Sequence, residues 1–192
     1  MEGSCQYQTS RGMIINEKYT GKSKRVDLHK QIKVCRAICK IIIQENDEKK
    51  LSSGTGFFLE IINKIYLVTN YHVLKEIKPN QILKIQIGIG TNKKVIELAL
   101  DSKEIKKYEA PIDALLIPIK DNAKKYFNCF KFVYNYLNGY QQYLENETFL
   151  GGYALEEDIT FTRGEIKKIF NNYEFEHNMD TDHGSSGSPV IL

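Results

Sequence analysis

Residues 177–192 read HNMDTDHGSSGSPVIL, and within them Ser186 stands between Gly184 and Gly187. A serine hydroxyl is a poor nucleophile at neutral pH unless a base lies within hydrogen-bond reach. Backbone N–H groups in a tight glycine turn are the simplest donors for a developing oxyanion. Gly184 is expected to turn the chain so that its own N–H and that of Ser186 point at one spot. Gly187 is expected to allow close approach of a substrate backbone. The string GSSGS also suits a plain linker, so its meaning depends on what the rest of the chain supplies.

Two upstream stretches supply partners. TNYHVL places His72 just after the apolar run KIYLVT, and PIDALLIPI places Asp113 at the head of an apolar strand. A histidine base needs a third group that holds its tautomer and stabilises the imidazolium. A carboxylate heading such a strand is expected to be buried and to want a partner. The three residues follow in the order His72, Asp113, Ser186, with 41 residues from 72 to 113 and 73 from 113 to 186.

The surrounding chain reads as short strands. QIKVCRAICKIIIQ, beginning at Gln31, suits a buried strand with room for an initial helical turn. TGFFLEII and KIYLVTN, joined at Asn63, read as a hairpin. QILKIQIGIG alternates Ile with polar residues, the pattern of a half-buried strand, and KKVIELALD and DALLIPIK follow in the same style. Residues 31–120 are therefore expected to form a first β-barrel of about six strands carrying His72 and Asp113. Residues 121–145, rich in Tyr, Asn and Phe, are expected to link two halves. ETFLGGYAL, ITFTRGEIKKIF, NYEFEHN and GSPVIL make 146–192 a second β-barrel carrying Ser186. Residues 1–30, polar and Lys-rich, are expected to be a flexible N-terminal extension.

Together these stretches resemble the chymotrypsin-like serine peptidases over roughly residues 35–192. GTGFFLEII before KIYLVTNYHVL is similar to the Gly-rich strand that leads to that family's histidine turn. PIDALLIPI is similar to its aspartate strand, and HGSSGSPVIL to its nucleophile loop, with Gly184, Ser185, Ser186 and Gly187 matching the G-x-S-G pattern. FLGGYAL and TFTRGEI resemble the opening strands of the second barrel. The SGSPV and TNYHV forms are closer to glutamyl-endopeptidase-like and intracellular trypsin-like domains than to digestive enzymes.

The resemblance implies an all-β fold of two antiparallel barrels. It implies a serine endopeptidase with His72, Asp113 and Ser186 as the triad and the N–H groups of Gly184 and Ser186 as the oxyanion hole. It implies a peptide or protein substrate, and no cofactor or metal. It places Asp180, Thr181 and His183 where the substrate pocket begins, with Asp180 able to read a basic side chain. Digestive members carry an aspartate where Ser185 stands here, and no Ile-Val-Gly-Gly-like activation site is present, so the site is expected to assemble on folding. The family pattern continues with further strands after the nucleophile, so the second barrel is expected to be incomplete. The alternative implied by that feature is an inactive protease-like module that captures peptides by strand addition.

Composition narrows the remaining classes. The chain has 192 residues and 42% hydrophobic residues, enough for a sizeable core. A net charge of +3, with 27 Lys+Arg against 24 Asp+Glu, is too balanced for a dedicated nucleic-acid binder. No stretch approaches the roughly 18 apolar residues of a membrane helix. No basic segment followed by an apolar one marks a secretory signal, so a cytoplasmic location is expected. Cys5, Cys35, Cys39 and Cys129 lack zinc spacing and are expected to be reduced thiols. Cys129 lies away from any Gly-rich turn and reads as a core residue rather than a nucleophile. The GIG at 88–90 lacks the Lys and the helix of a phosphate loop.

Overall fold

The computed structural model describes residues 3–8, 14–19, 28–44, 51–75, 82–101, 103–131, 140–153, 158–170 and 174–191. Two sheets carry the chain. The first contains β3 (Ile38–Gln44), β4 (Leu51–Ile61), β5 (Lys64–Thr69), β6 (Ile82–Ile87), β7 (Lys94–Ala99), β8 (Lys106–Tyr108) and β9 (Ala114–Pro118). Their order is β7-β6-β3-β4-β5-β9-β8, every neighbour antiparallel. The second contains β1 (Gly3–Gln8), β2 (Ile14–Tyr19), β11 (Glu147–Gly152), β12 (Thr160–Ile169), β13 (Phe175–His177) and β14 (Val190–Ile191). It runs β1-β2-β12-β11-β14, with β13 paired to β12. The all-β expectation holds: the described residues include one α-helix, α1 (Leu28–Cys35), and a few 3-10 turns.

The first barrel's sheet builds its core on the alternation seen in its sequence. In β6 the buried residues are Leu83, Ile85 and Ile87, and in β9 they are Leu115 and Ile117. These meet Ile41, Phe58 and Leu67 in one core, so each strand presents one face inward with a period of two. β4 joins two neighbours: its first half pairs with β3 and its second half with β5, changing partner at Phe57. Gly56 makes room for the core there: a Cβ would lie 2.8 Å from Leu67 Cδ1 and 3.0 Å from Ile41 Cδ1. The hairpin expected at Asn63 is present. Ile62 and Asn63 both have positive φ, 48° and 61°, the backbone of a two-residue turn that matches the twist of its strands.

Three features differ from the sequence reading. Residues 28–35 form α1 before the first buried strand; its amphipathic face sends Cys35 into a small second cluster with Ile38 and Tyr153. The first half of the segment read as a linker belongs to the first barrel. Phe127 stacks on Phe58 at 3.7 Å, and β10 (Phe130–Lys131) pairs with β4 at Leu59 and Glu60. Aromatic burial there outweighs the absence of any clean period. Finally, the N-terminal extension supplies a hairpin, β1 with β2, and Glu17 lies opposite Phe161 of β12. The pairing of β13 with β12 reaches only as far back as Ile166, so the Phe161 end of β12 offers unpaired backbone to another strand.

Candidate active site

His72 sits in a 3-10 turn, Tyr71–Val73, directly after β5. Asp113 is the residue before β9, the strand paired to β5. The pairing of Thr69 with Leu115 therefore sets the two side by side. Asp113 Oδ2 lies 2.6 Å from His72 Nδ1, and Asp113 Oδ1 accepts the His72 N–H at 2.9 Å. The Asp113 carbonyl accepts the Tyr71 N–H at 3.1 Å and the Asn70 Nδ2 at 2.9 Å. One aspartate thus clasps the whole histidine turn, through four contacts. Asp113 has φ +50°, a left-handed conformation that Asp tolerates better than most residues. The carboxylate is only about two-thirds covered, its side chain retaining 34% exposure, and the imidazole is 54% exposed. The pair faces solvent rather than the deep burial expected for Asp113.

Ser186 is exposed and is held through its backbone. Its carbonyl accepts the Thr55 N–H at 2.9 Å, so β4 of the first barrel carries the Ser186 loop. Thr55 is fully buried and makes two further links. Its hydroxyl donates to the Gly184 carbonyl at 2.8 Å and accepts the Tyr153 N–H at 2.9 Å. The Thr55 carbonyl in turn accepts from Thr69 Oγ1 at 2.7 Å. Gly54, next along β4, marks where the histidine turn and the Ser186 loop converge. A Cβ on Gly54 would lie 2.6 Å from Val73 Cγ1 and 3.5 Å from the Ser186 carbonyl. Val73 is the neighbour of His72, so one glycine touches the surroundings of both. Among the described residues no hydrogen bond joins the Ser186 hydroxyl to His72.

The loop itself is a pair of glycine turns. Gly184 and Gly187 have φ +89° and +87°. The Ser185 N–H donates to the Asp182 carbonyl at 3.0 Å, and the Asp182 N–H returns to Ser185 Oγ at 3.1 Å. The Ser188 N–H donates to the Ser185 carbonyl at 3.0 Å. The N–H groups of Gly184 and Ser186 donate to nothing among the described residues. Gly187 has a different task from the one its sequence suggested. A Cβ there would lie 2.0 Å from the Thr55 carbonyl oxygen and 2.4 Å from Thr69 Oγ1. It admits the close approach of the first barrel.

Asp180, Thr181 and His183 lie exposed on the segment that leads into this loop. The Asp180 carbonyl accepts from Thr162 Oγ1 of β12 at 2.9 Å, and the His183 N–H donates to Asp182 Oδ1 at 2.7 Å. Cys129 is half-buried against the first core, and burial together with Glu60 pushes its thiol up from the ordinary range, the opposite of what a nucleophilic cysteine needs. Thr55, Thr69, Gly54 and Asn70 were not marked by the sequence as site residues. The available signals are the small-residue run SSGTG for Gly54 and Thr55, inside a strand otherwise built of large apolar residues, and the first two positions of TNYHVL for Thr69 and Asn70.

No protein-family model matches the sequence, and no curated protein matches it significantly. Solved structures do. The serine endoprotease from Yersinia pestis superposes on 88% of this chain with a TM-score of 0.60 at 14% identity. Deg5 superposes on 86% with a TM-score of 0.56 at 16% identity. The fold is that of the chymotrypsin-like serine proteases. The active form of the Rv3671c protease from M. tuberculosis agrees, with 82% of the chain covered, a TM-score of 0.53 and 16% identity. The chain spans 54% of the Yersinia protein, 81% of Deg5 and 66% of the M. tuberculosis protease. Among the described residues no helix is long and apolar enough to cross a membrane.

Proposed function

We propose that this chain carries a serine endopeptidase site and hydrolyses peptide bonds through an acyl-enzyme. The observation that carries the reading is the His72–Asp113 pair, 2.6 Å apart, on the barrel strand system that also docks Ser186 through Thr55. In this reading His72 holds a proton on Nδ1, facing Asp113, and its Nε2 is the base. Ser186 Oγ attacks the substrate carbonyl while Nε2 takes its proton. The carbonyl oxygen becomes an oxyanion received by the N–H groups of Gly184 and Ser186. Collapse breaks the C–N bond, and the imidazolium gives its proton to the departing amine. Water then repeats the sequence on the ester, freeing the acid and restoring Ser186.

The finer assignments belong to the same proposal. The GSSGSPV and TNYHV forms support kinship with glutamyl-endopeptidase-like and intracellular trypsin-like domains. The exposed segment 180–183 supports Asp180, Thr181 and His183 as the first substrate contacts. A fluorophosphonate probe tests the core of the reading, because labelling needs both an activated hydroxyl and an oxyanion site. One serine should be labelled, and Ser186→Ala should abolish the signal. Equal labelling of the two proteins would move the nucleophile elsewhere. A folded sample that takes no label would leave a protease-like scaffold that binds peptides without cutting them.

A further inference from the structure

A cavity of about 430 Å³ opens in the first barrel, and none of His72, Asp113 or Ser186 lines it. Three segments form its walls: the last turn of α1, the connection between β6 and β7, and the 3-10 turn Asp121–Tyr126. The end of α1 is fastened to the chain just after that 3-10 turn. The Asn128 N–H donates to the Arg36 carbonyl at 3.0 Å, and Asn128 Nδ2 donates to the Lys33 carbonyl at 3.1 Å. The β6–β7 connection is fixed by Gly88, with φ +101°, where a Cβ would lie 2.5 Å from the Asn92 carbonyl oxygen. The cavity is therefore built into the fold.

Its lining divides by chemistry. Ile32, Ile87, Ile89 and the ring of Tyr126 are apolar; Arg36, Lys94 and Lys125 are cations; among the described residues none that lines it is a carboxylate. Lys94 Nζ and Lys125 Nζ lie 4.3 Å and 5.0 Å from the Tyr126 ring centroid. Among the described residues none of the three cations is paired with an acid, whereas the adjacent Lys93 pairs with Asp158 at 2.6 Å and Lys84 lies near Glu97. Three like charges around one concavity repel each other and raise the local concentration of anions. The ring of Tyr126 relieves only part of that repulsion.

We propose that this cavity binds a small amphipathic anion. Its oxyanion head sits among Arg36, Lys94 and Lys125, and its apolar body lies on Ile32, Ile87 and Ile89. An apolar floor with a few convergent charges is the usual make-up of a small-molecule site, and the guanidinium fork of Arg36 suits a carboxylate or phosphate head. The site is independent of the peptidase reading.

The probe is 8-anilinonaphthalene-1-sulfonate, read by fluorescence titration against the whole chain, with neutral N-phenyl-1-naphthylamine beside it. The sulfonate should bind saturably, and the neutral dye should bind at least about tenfold more weakly. The variant Arg36→Ala/Lys94→Ala/Lys125→Ala should lose about tenfold or more in sulfonate affinity. Should that variant not melt cooperatively, Arg36→Gln alone, at an exposed position, should lose about threefold. Phenyl phosphate and laurate serve as competitors, and whichever displaces the dye identifies the head group. Unchanged affinity in the folded variants, equal binding of the neutral dye, or displacement by neither competitor would overturn the proposal.

Discussion

The Thr55 N–H donates to the Ser186 carbonyl at 2.9 Å, so the first barrel holds the residue that the second barrel presents. The Thr55 hydroxyl adds a bond to the Gly184 carbonyl and accepts the Tyr153 N–H. Both glycine-turn carbonyls on either side of Ser185 are thus fastened to one buried residue. That geometry pins the peptide units on both sides of the Ser186 N–H.

Thr55→Val keeps the volume and removes the hydroxyl. It leaves the Gly184 carbonyl and the Tyr153 N–H without partners, at about 1–3 kcal/mol for each buried group. We expect a clear fall in melting temperature. We also expect slower fluorophosphonate labelling, because oxyanion donors lose their effect when displaced by even an ångström. Thr55→Ser should recover both. A Thr55→Val protein that melts lower but labels at the wild-type rate would reduce Thr55 to a stability role.

The fold was legible wherever burial follows a simple period. The alternation in residues 82–87 and the run 114–118 yield β6 and β9 as expected, and His72 and Asp113 follow from their places at the ends of β5 and β9. What was not legible has a common physical cause. Thr55, Thr69 and Gly54 act through contacts with residues 73 and 184–187, more than a hundred positions away in the chain for the loop. Local sequence carries no trace of such partners. Phe127 was likewise opaque, since its place is set by the Phe58 ring and not by its neighbours in sequence. The docking of the β1–β2 hairpin at Phe161 of β12 involves a partner far away in the chain, so local sequence does not reveal it.

Asp113→Asn tests the orienting role directly. The amide retains the shape and can still accept the His72 N–H, so the fold should persist. An amide NH₂ facing Nδ1, however, stabilises the wrong imidazole tautomer. If Ser186 acts through His72, turnover should fall by about 10⁴, the size seen for this change in trypsin-type triads. Hydrolysis of a mixed peptide library by the two proteins measures the ratio. A loss below about tenfold would mean that Asp113 serves the turn and not the chemistry.

Alkaline stability depends on three buried groups. Cys35 and Cys39 are buried, and burial pushes the Cys35 thiol up to about 12 and the Cys39 thiol higher still. Tyr153, fully buried with its hydroxyl donating to the Gly88 carbonyl at 3.3 Å, is raised by burial and by the neighbouring thiols. All three are neutral when protonated, and the folded chain keeps the proton longer than the unfolded chain does. Below about pH 8.5, the ordinary thiol value, both states are protonated and stability does not depend on these groups. Above it the unfolded state releases protons first, so stability falls as pH rises, by about 1.4 kcal/mol per pH unit for each thiol until its folded value is reached. Thermal melts from pH 7 to 11 should therefore be level and then drop steeply. Cys35→Ala/Cys39→Ala removes two of the three groups. It should start from a lower melting temperature at pH 7, having lost buried sulfur packing, and then decline less steeply, so that the gap to wild type narrows with pH. Parallel curves for the two proteins would show that the thiols are equally free to ionise in the folded chain.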